Sequence, residues 1–144
     1  MKIHLATDHA GFMHKEAVKA YLTGEGLEVV DHGAYMLTEG DDYPDFMKLA
    51  AEGVAKDPAD MGIIFGYSGE GEAMVANRYP AIRASVYNGG KKEIVPLARE
   101  HNNANILSIG AHFVSIDETL EIVQIFLSTP FSEDARHTRR LSKF

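Results

Sequence analysis

The sequence contains no cysteine. That absence removes disulfides, thiolate zinc sites and a cysteine nucleophile together. An excess of basic residues is missing as well: 14 lysines and arginines stand against 21 acidic residues, a formal charge of −7. Nucleic acid is therefore disfavoured as the main partner, because such binding rests on basic surface. A local cationic patch can still hold an anion on an acidic protein, so a phosphorylated ligand stays open. No apolar run approaches the ~20 residues of a membrane span. The opening "MKIHLATDHAG" enters a strand pattern at once and reaches acidic residues too early for a secretory signal. Repeats, low-complexity tracts and linker-like stretches are also missing. The expectation is one domain over residues 1–144, soluble and cytoplasmic, with no membrane and no nucleic-acid partner.

Short apolar runs alternate with longer segments of helical period. Ile3–Thr7, Glu28–Asp31, Met61–Phe65, Ile82–Val86 and Ile106–Ile109 read as five strands. His14–Leu22, Tyr43–Ala55, Glu72–Arg78, Lys91–His101 and Ile116–Leu127 read as helices, followed by a basic terminal helix in "SEDARHTRRLSKF". Pro96 inside the fourth helix predicts either a kink or a late start. Strands that are continuous apolar runs, alternating with helices, predict an α/β fold. In it a doubly wound, Rossmann-like, mainly parallel five-stranded sheet carries helices on both faces. Ligands of such sheets sit beyond the carboxyl ends of the strands. That rule groups the loops "DHAG", "GYSGEGE", "YNGG" and the segment around "GAH".

The loop Gly66–Glu72, "GYSGEGE", is the one most suited to chemistry. A dinucleotide fingerprint fails, since Gly69 and Gly71 are followed by Met74 where a third glycine belongs. A Walker A loop fails because Glu72 and Ala73 replace Lys and Ser/Thr. A nucleophile elbow around Ser68 misses its spacing by one residue, Glu70 standing where glycine should be. What fits is a nest of backbone N–H groups at a helix N-terminus, suited to an anion or a developing oxyanion. Glu72 would start that helix and point into the same concavity, its ionised form favoured by the helix dipole. The alternative is that Glu70 and Glu72 are simply first-turn acids stabilising a helix end.

Five segments, in order along nearly the whole chain, resemble the ribose-5-phosphate isomerase B / galactose-6-phosphate isomerase family. They are "DHAGF" (Asp8–Phe12), "YPDF" (Tyr43–Phe46), "GYSGEGEAMVANR", "REHNNANILSIGA" (Arg99–Ala111) and "ARHTRR" (Ala135–Arg140). The resemblance implies a metal-free, cofactor-free aldose–ketose isomerase of a phosphorylated sugar, with ribose 5-phosphate as the default substrate. It implies a homodimer, often paired into tetramers, with shared active sites and a C-terminal helix reaching the partner subunit. One subgroup uses a cysteine at the position of Gly66 as base; the other uses the glutamate that aligns with Glu72, the base implied here. Ser68 and the N–H groups through Gly69, Glu70, Gly71 and Glu72 would hold the enediolate oxygen. His101 resembles the ring-opening histidine, arriving with Asn102 from the neighbouring subunit. Asp8 and Tyr43 match residues that contact the sugar, and His9 one that contacts phosphate. Arg136 and Arg140, four apart on one helical face, match a phosphate clamp. Three positions depart from the family pattern: Tyr67 replaces a glycine, Glu70 an asparagine common in the glutamate subgroup, and His112 an arginine that helps bind phosphate. These leave the reaction type intact and put the choice of sugar in question.

Overall fold

A computed structural model describes residues 1–144. The five strands are β1 (Lys2–Thr7), β2 (Glu28–Asp31), β3 (Met61–Gly66), β4 (Ala84–Tyr87) and β5 (Ile106–Gly110). They form one parallel sheet in the order β2-β1-β3-β5-β4. A 3-10 turn, His9–Gly11, leads into α1 (Phe12–Gly24); then come α2 (Tyr43–Val54), α3 (Glu70–Ala76), α4 (Ile94–Asn102), α5 (Ile116–Ser128) and α6 (Ala135–Leu141). No helix is long and apolar enough to cross a membrane.

The sheet is covered on both faces, which is why β3 and β5 carry no alternating pattern. On one side Ile3, Leu5, Ile63, Phe65, Leu107 and Ile109 pack with Val18 and Leu22 of α1, Val95 of α4, and Ile122 and Phe126 of α5. On the other, Ala6, Ile64 and Ile106 meet Met47, Ala50 and Val54 of α2 and Ala76 of α3. Alternate strand residues therefore serve opposite layers, and every position must be apolar or small. His4, on the α2 side, is an exception. Its ring bonds His32 at 2.8 Å and Asp60 at 3.2 Å, so the buried polar atoms are satisfied.

Among the element boundaries that differ from those read in the sequence, three have a clear local cause. The fourth strand begins at Ala84, not Ile82, because Ala81 adopts φ 69° and Ile82 N–H closes a turn onto Tyr79. Helix α4 begins at Ile94, so Pro96 lies in its first turn, where no intrahelical N–H partner is needed; the late start is what occurs. Helix α3 begins at Glu70 instead of Glu72, since Gly69 at φ 80° turns the chain into the helix two residues earlier.

Candidate active site

Strand β1 connects to β2 on one side, whereas β3 lies on β1's other side. The carboxyl ends of β1 and β3 thus flank the point where the winding reverses, the place where open α/β sheets hold ligands. Asp8 follows β1 and the glycine loop follows β3. Helix α3 returns Glu72 to the mouth of that loop. A Cβ on Gly66 would stand 1.8 Å from Glu72 Oε1, so the carboxylate fills the volume that any side chain at 66 would claim.

Glu72 is 4 % exposed, and its Oε2 is buried with no hydrogen-bond partner. Burial raises its pKa above the ordinary 4.5; the nearby Glu72 and Gly69 amides oppose the shift, and the charges of Asp8 and Glu70 add to it. The amides at the helix start favour the ionised form, in the direction expected from the sequence, but burial outweighs them. Asp8, also buried, caps the 3-10 turn by accepting from Ala10 N–H at 2.9 Å, and burial pushes its pKa up as well.

The loop is pinned from beneath. Ser108, fully buried on β5, donates its hydroxyl to the Gly69 carbonyl at 2.5 Å. Asn88 Nδ2 donates to the Ser68 carbonyl and to Glu70 Oε1, each at 3.3 Å. Glu70 itself is exposed and held by Asn88 rather than aimed beside Glu72. Its backbone N–H reaches Ser68 Oγ at 3.3 Å. Glu70, Gly71 and Glu72 form the first turn of α3, where N–H groups have no intrahelical acceptor. Tyr43, at the start of α2, lies over this turn, its hydroxyl 2.7 Å from where a Cβ on Gly71 would stand.

His9 lies beside Asp8. Its Nδ1 is 2.7 Å from Asp41 Oδ1, which also accepts its backbone N–H at 2.9 Å. The Asp41 hydrogen bond raises the pKa of His9. Asp8, His9 and Asp41 bring carboxylate and imidazole atoms within 4.8 Å of one another. Hydrogen bonds within and around the group already account for its closeness. Asp41 was not among the residues singled out in the sequence; the only signal was the "DD" before the "YPDF" helix start.

The remaining candidates are not here. Because all five strands are parallel, each following helix runs back toward their amino ends. His101 and Asn102 close α4 just before β5, and Ala104 N–H bonds the Ala98 carbonyl there. A six-residue strand spans roughly 20 Å, so within one chain His101 and Glu72 occupy opposite ends of the sheet. Arg136 and Arg140 lie with His101, since Ser132 donates to the Glu100 carbonyl and His137 stacks on His101 at 4.2 Å. Arg136 pairs with Asp134 at 3.5 Å, and both arginines are exposed. A groove of about 950 Å³ opens at this end, lined by Tyr79, Arg83, Asn102, Leu141 and Phe144 among others, far from Glu72. The chain thus carries an acidic pole with Asp8, Asp41, Glu70 and Glu72, and a basic pole with His101, Arg136 and Arg140.

Two of the three departures prove to be one feature. Tyr67 and His112 stack face to face at 4.2 Å and 15°, with Phe113 edge-on to both. A large ring at 67 and a flat imidazole at 112 fit together at the rim of the loop.

A sequence model described as Ribose/Galactose Isomerase matches residues 3–144. The chain belongs to this family. Ribose-5-phosphate isomerase B of Mycolicibacterium paratuberculosis is 40% identical over 141 residues, covering 98% of this chain and 87% of the relative. Among solved structures, a ribose 5-phosphate isomerase of Thermotoga maritima is 44% identical with a TM-score of 0.91, covering 99% of this chain and 95% of that one. Ribose-5-phosphate isomerase B of Mycoplasma genitalium, with bound ribulose-5-phosphate, is 36% identical with a TM-score of 0.93, covering 99% and 92%. In this ribose/galactose isomerase, position 66 is where the resemblance puts the alternative cysteine base. The carboxylate of Glu72 reaches the same point in space from a different backbone position. Gly66→Ala is expected to displace that carboxylate and lower kcat by about 10²-fold, with a smaller change in KM. Steady-state kinetics of the folded variant check this.

Proposed function

We propose that residues 1–144 act as one isomerase domain that interconverts ribose 5-phosphate and ribulose 5-phosphate through a cis-enediolate. The active unit is a homodimer with two shared sites. The observation that carries the reading is the buried carboxylate of Glu72, one oxygen of which has no hydrogen-bond partner, set at the mouth of a loop rich in backbone N–H groups.

The chemistry follows from that geometry. His101 of the partner subunit moves a proton between the ring oxygen and the anomeric hydroxyl, opening the furanose. Glu72 then takes the C2 proton and returns it to C1, the electron pair passing through the enediolate. A carboxylate is a weak base for such a carbon acid, so the oxyanion must be stabilised as it forms. Pre-aimed N–H groups do this, each costing about 2.7–4 kcal/mol of activation when removed. Burial helps from the other side, because raising the pKa of Glu72 makes its ionised form a stronger base. His9, with Arg136 and Arg140 of the partner subunit, holds the phosphate; Asp8, Tyr43 and Asn102 hold the sugar. The split of these residues between two poles supports the dimer, since each pole is half of a site and their charges are opposite.

The Tyr67–His112 stack favours a second reading of substrate, though not of reaction: a tetrose or hexose phosphate in place of the pentose. A non-catalytic sugar-phosphate binder would have no use for a buried ionisable carboxylate, which burdens the fold. NMR of the protein in D₂O with ribose 5-phosphate, a tetrose phosphate and a hexose phosphate tests all three. Deuterium entering next to the carbonyl as ketose appears is the expected result, fastest with ribose 5-phosphate. No exchange with any of the sugars would overturn the assignment.

A further inference from the structure

The loop joining β2 to α2 returns Asp41 to the back of His9. One carboxylate oxygen, Oδ1, accepts both the backbone N–H of His9 at 2.9 Å and its ring Nδ1–H at 2.7 Å. The two bonds fix where the residue sits and how its ring is turned. Nε2, on the far edge of the imidazole, is the nitrogen left without a partner in the chain, and the side chain is 37% exposed. Asp41 is only 12% exposed, and its second oxygen, Oδ2, is buried and unpartnered. The imidazole of His9 is the one group within salt-bridge reach of this enclosed carboxylate, and the charge of Asp41 favours its protonated form.

We propose that Asp41 is a positioning residue for anion binding. It holds His9 as an imidazolium whose Nε2–H faces outward to the substrate phosphate. The assignment rests on the proposed reading of His9 as a phosphate contact and adds to it the group that makes the contact effective near neutral pH. A lone histidine is mostly neutral there and offers a phosphate little charge. With a carboxylate behind it, the same ring becomes a fixed cation pre-aimed through one nitrogen, as in other carboxylate–histidine pairs. The charged groups facing His9 are all acidic: Asp41, Asp8 and Glu39, with Asp41 dominant through its hydrogen bond. Asp8 belongs to the segment of His9 itself, Glu39 to the Asp41 loop. Glu72 of α3 acts beyond Asp8. Asp41, Asp8 and Glu39 each favour the protonated ring; burial opposes it but is outweighed by the Asp41 hydrogen bond. The loop that carries Asp41 also delivers Tyr43 onto Gly71, so anion binding and the catalytic turn share one support.

The test is Asp41→Asn, a replacement of equal size, read in three ways. The ring Cε1–H resonance of His9, followed by NMR across pH, should titrate at clearly lower pH in the variant. The Kd for inorganic phosphate and the KM for ribose 5-phosphate should each rise about tenfold or more at about pH 8, with little change at about pH 6. At saturating substrate kcat should fall far less than KM rises. In a His9→Gln background, Asp41→Asn should add nothing, which separates action through His9 from a general loss of fold. An unmoved His9 titration, or equal weakening at both pH values, would overturn the proposal. So would additive losses in the double variant. If the wild type isomerised no sugar phosphate, the functional reading would fail alone; the titration and the phosphate Kd would still decide the role of Asp41.

Discussion

Glu72→Gln should lower kcat by about 10²–10⁴-fold, the usual worth of a general base, while ribose 5-phosphate still binds. Glutamine keeps the shape and volume that fill the space over Gly66, so the loop need not move. On the proposed mechanism, what it removes is the acceptor for the C2 proton. Equal turnover would assign the base elsewhere. The same variant carries a stability signature. The folded-state pKa of Glu72 is raised by burial, so its favourable contribution belongs to acid solution, below the unfolded carboxyl pKa. That contribution is lost as pH climbs through the folded value, and at neutral pH the ionised side chain weighs against folding. Glu72→Gln should therefore melt higher than wild type at about pH 8, with the gap closing as pH falls toward about 5. Thermal unfolding at the two pH values checks the sign. In the intact enzyme the acid limb of kcat/KM should lie above the ordinary carboxyl pKa of 4.5, because that parameter reports ionisation of the free enzyme's base.

The second large effect comes from mixing. Glu72→Gln and His101→Asn should each be nearly inactive alone, and activity should return when the two are combined under conditions that exchange subunits. Glu72 and His101 stand at opposite ends of one sheet, so in the proposed shared-site dimer a hybrid would hold one site with both residues intact and one with neither. Random pairing makes half the dimers hybrids, each with one good site of two, which sets the ceiling at about one quarter of wild-type activity. Specific activity of the mixture against the separate variants measures it. Failure to recover any activity would place both residues in the same chain's site, or remove His101 from the chemistry.

Much of this was legible in the sequence, and the reasons are local. β3 and β5 are uninterrupted apolar runs because helices cover both their faces. The loop after β3 announced itself by glycines that fit no nucleotide motif. The resemblance grouped residues that the fold then divides between its two ends. The order of strands was not legible, since β5 inserts between β3 and β4 through contacts distant in sequence. Nor was the start of β4, where a left-handed Ala81 breaks a run that reads as strand from Ile82. Asp41 escaped for a related reason: its partner lies 32 residues away across a returning loop, and alone it reads as one more acid before a helix. The mating of Tyr67 with His112 likewise needs two loops brought together, although each was visible separately as a departure from the family pattern.

The shared volume over Gly66 also constrains how such an enzyme could change over generations. A side chain at 66 and the carboxylate of Glu72 claim the same volume, 1.8 Å apart at the first carbon, so the carboxylate must swing away when position 66 gains a Cβ. On the proposed reading of Glu72 as base, gaining a side chain at 66 first would push the carboxylate aside, and losing Glu72 first would leave no base. A change of base would then be easiest with both substitutions made together.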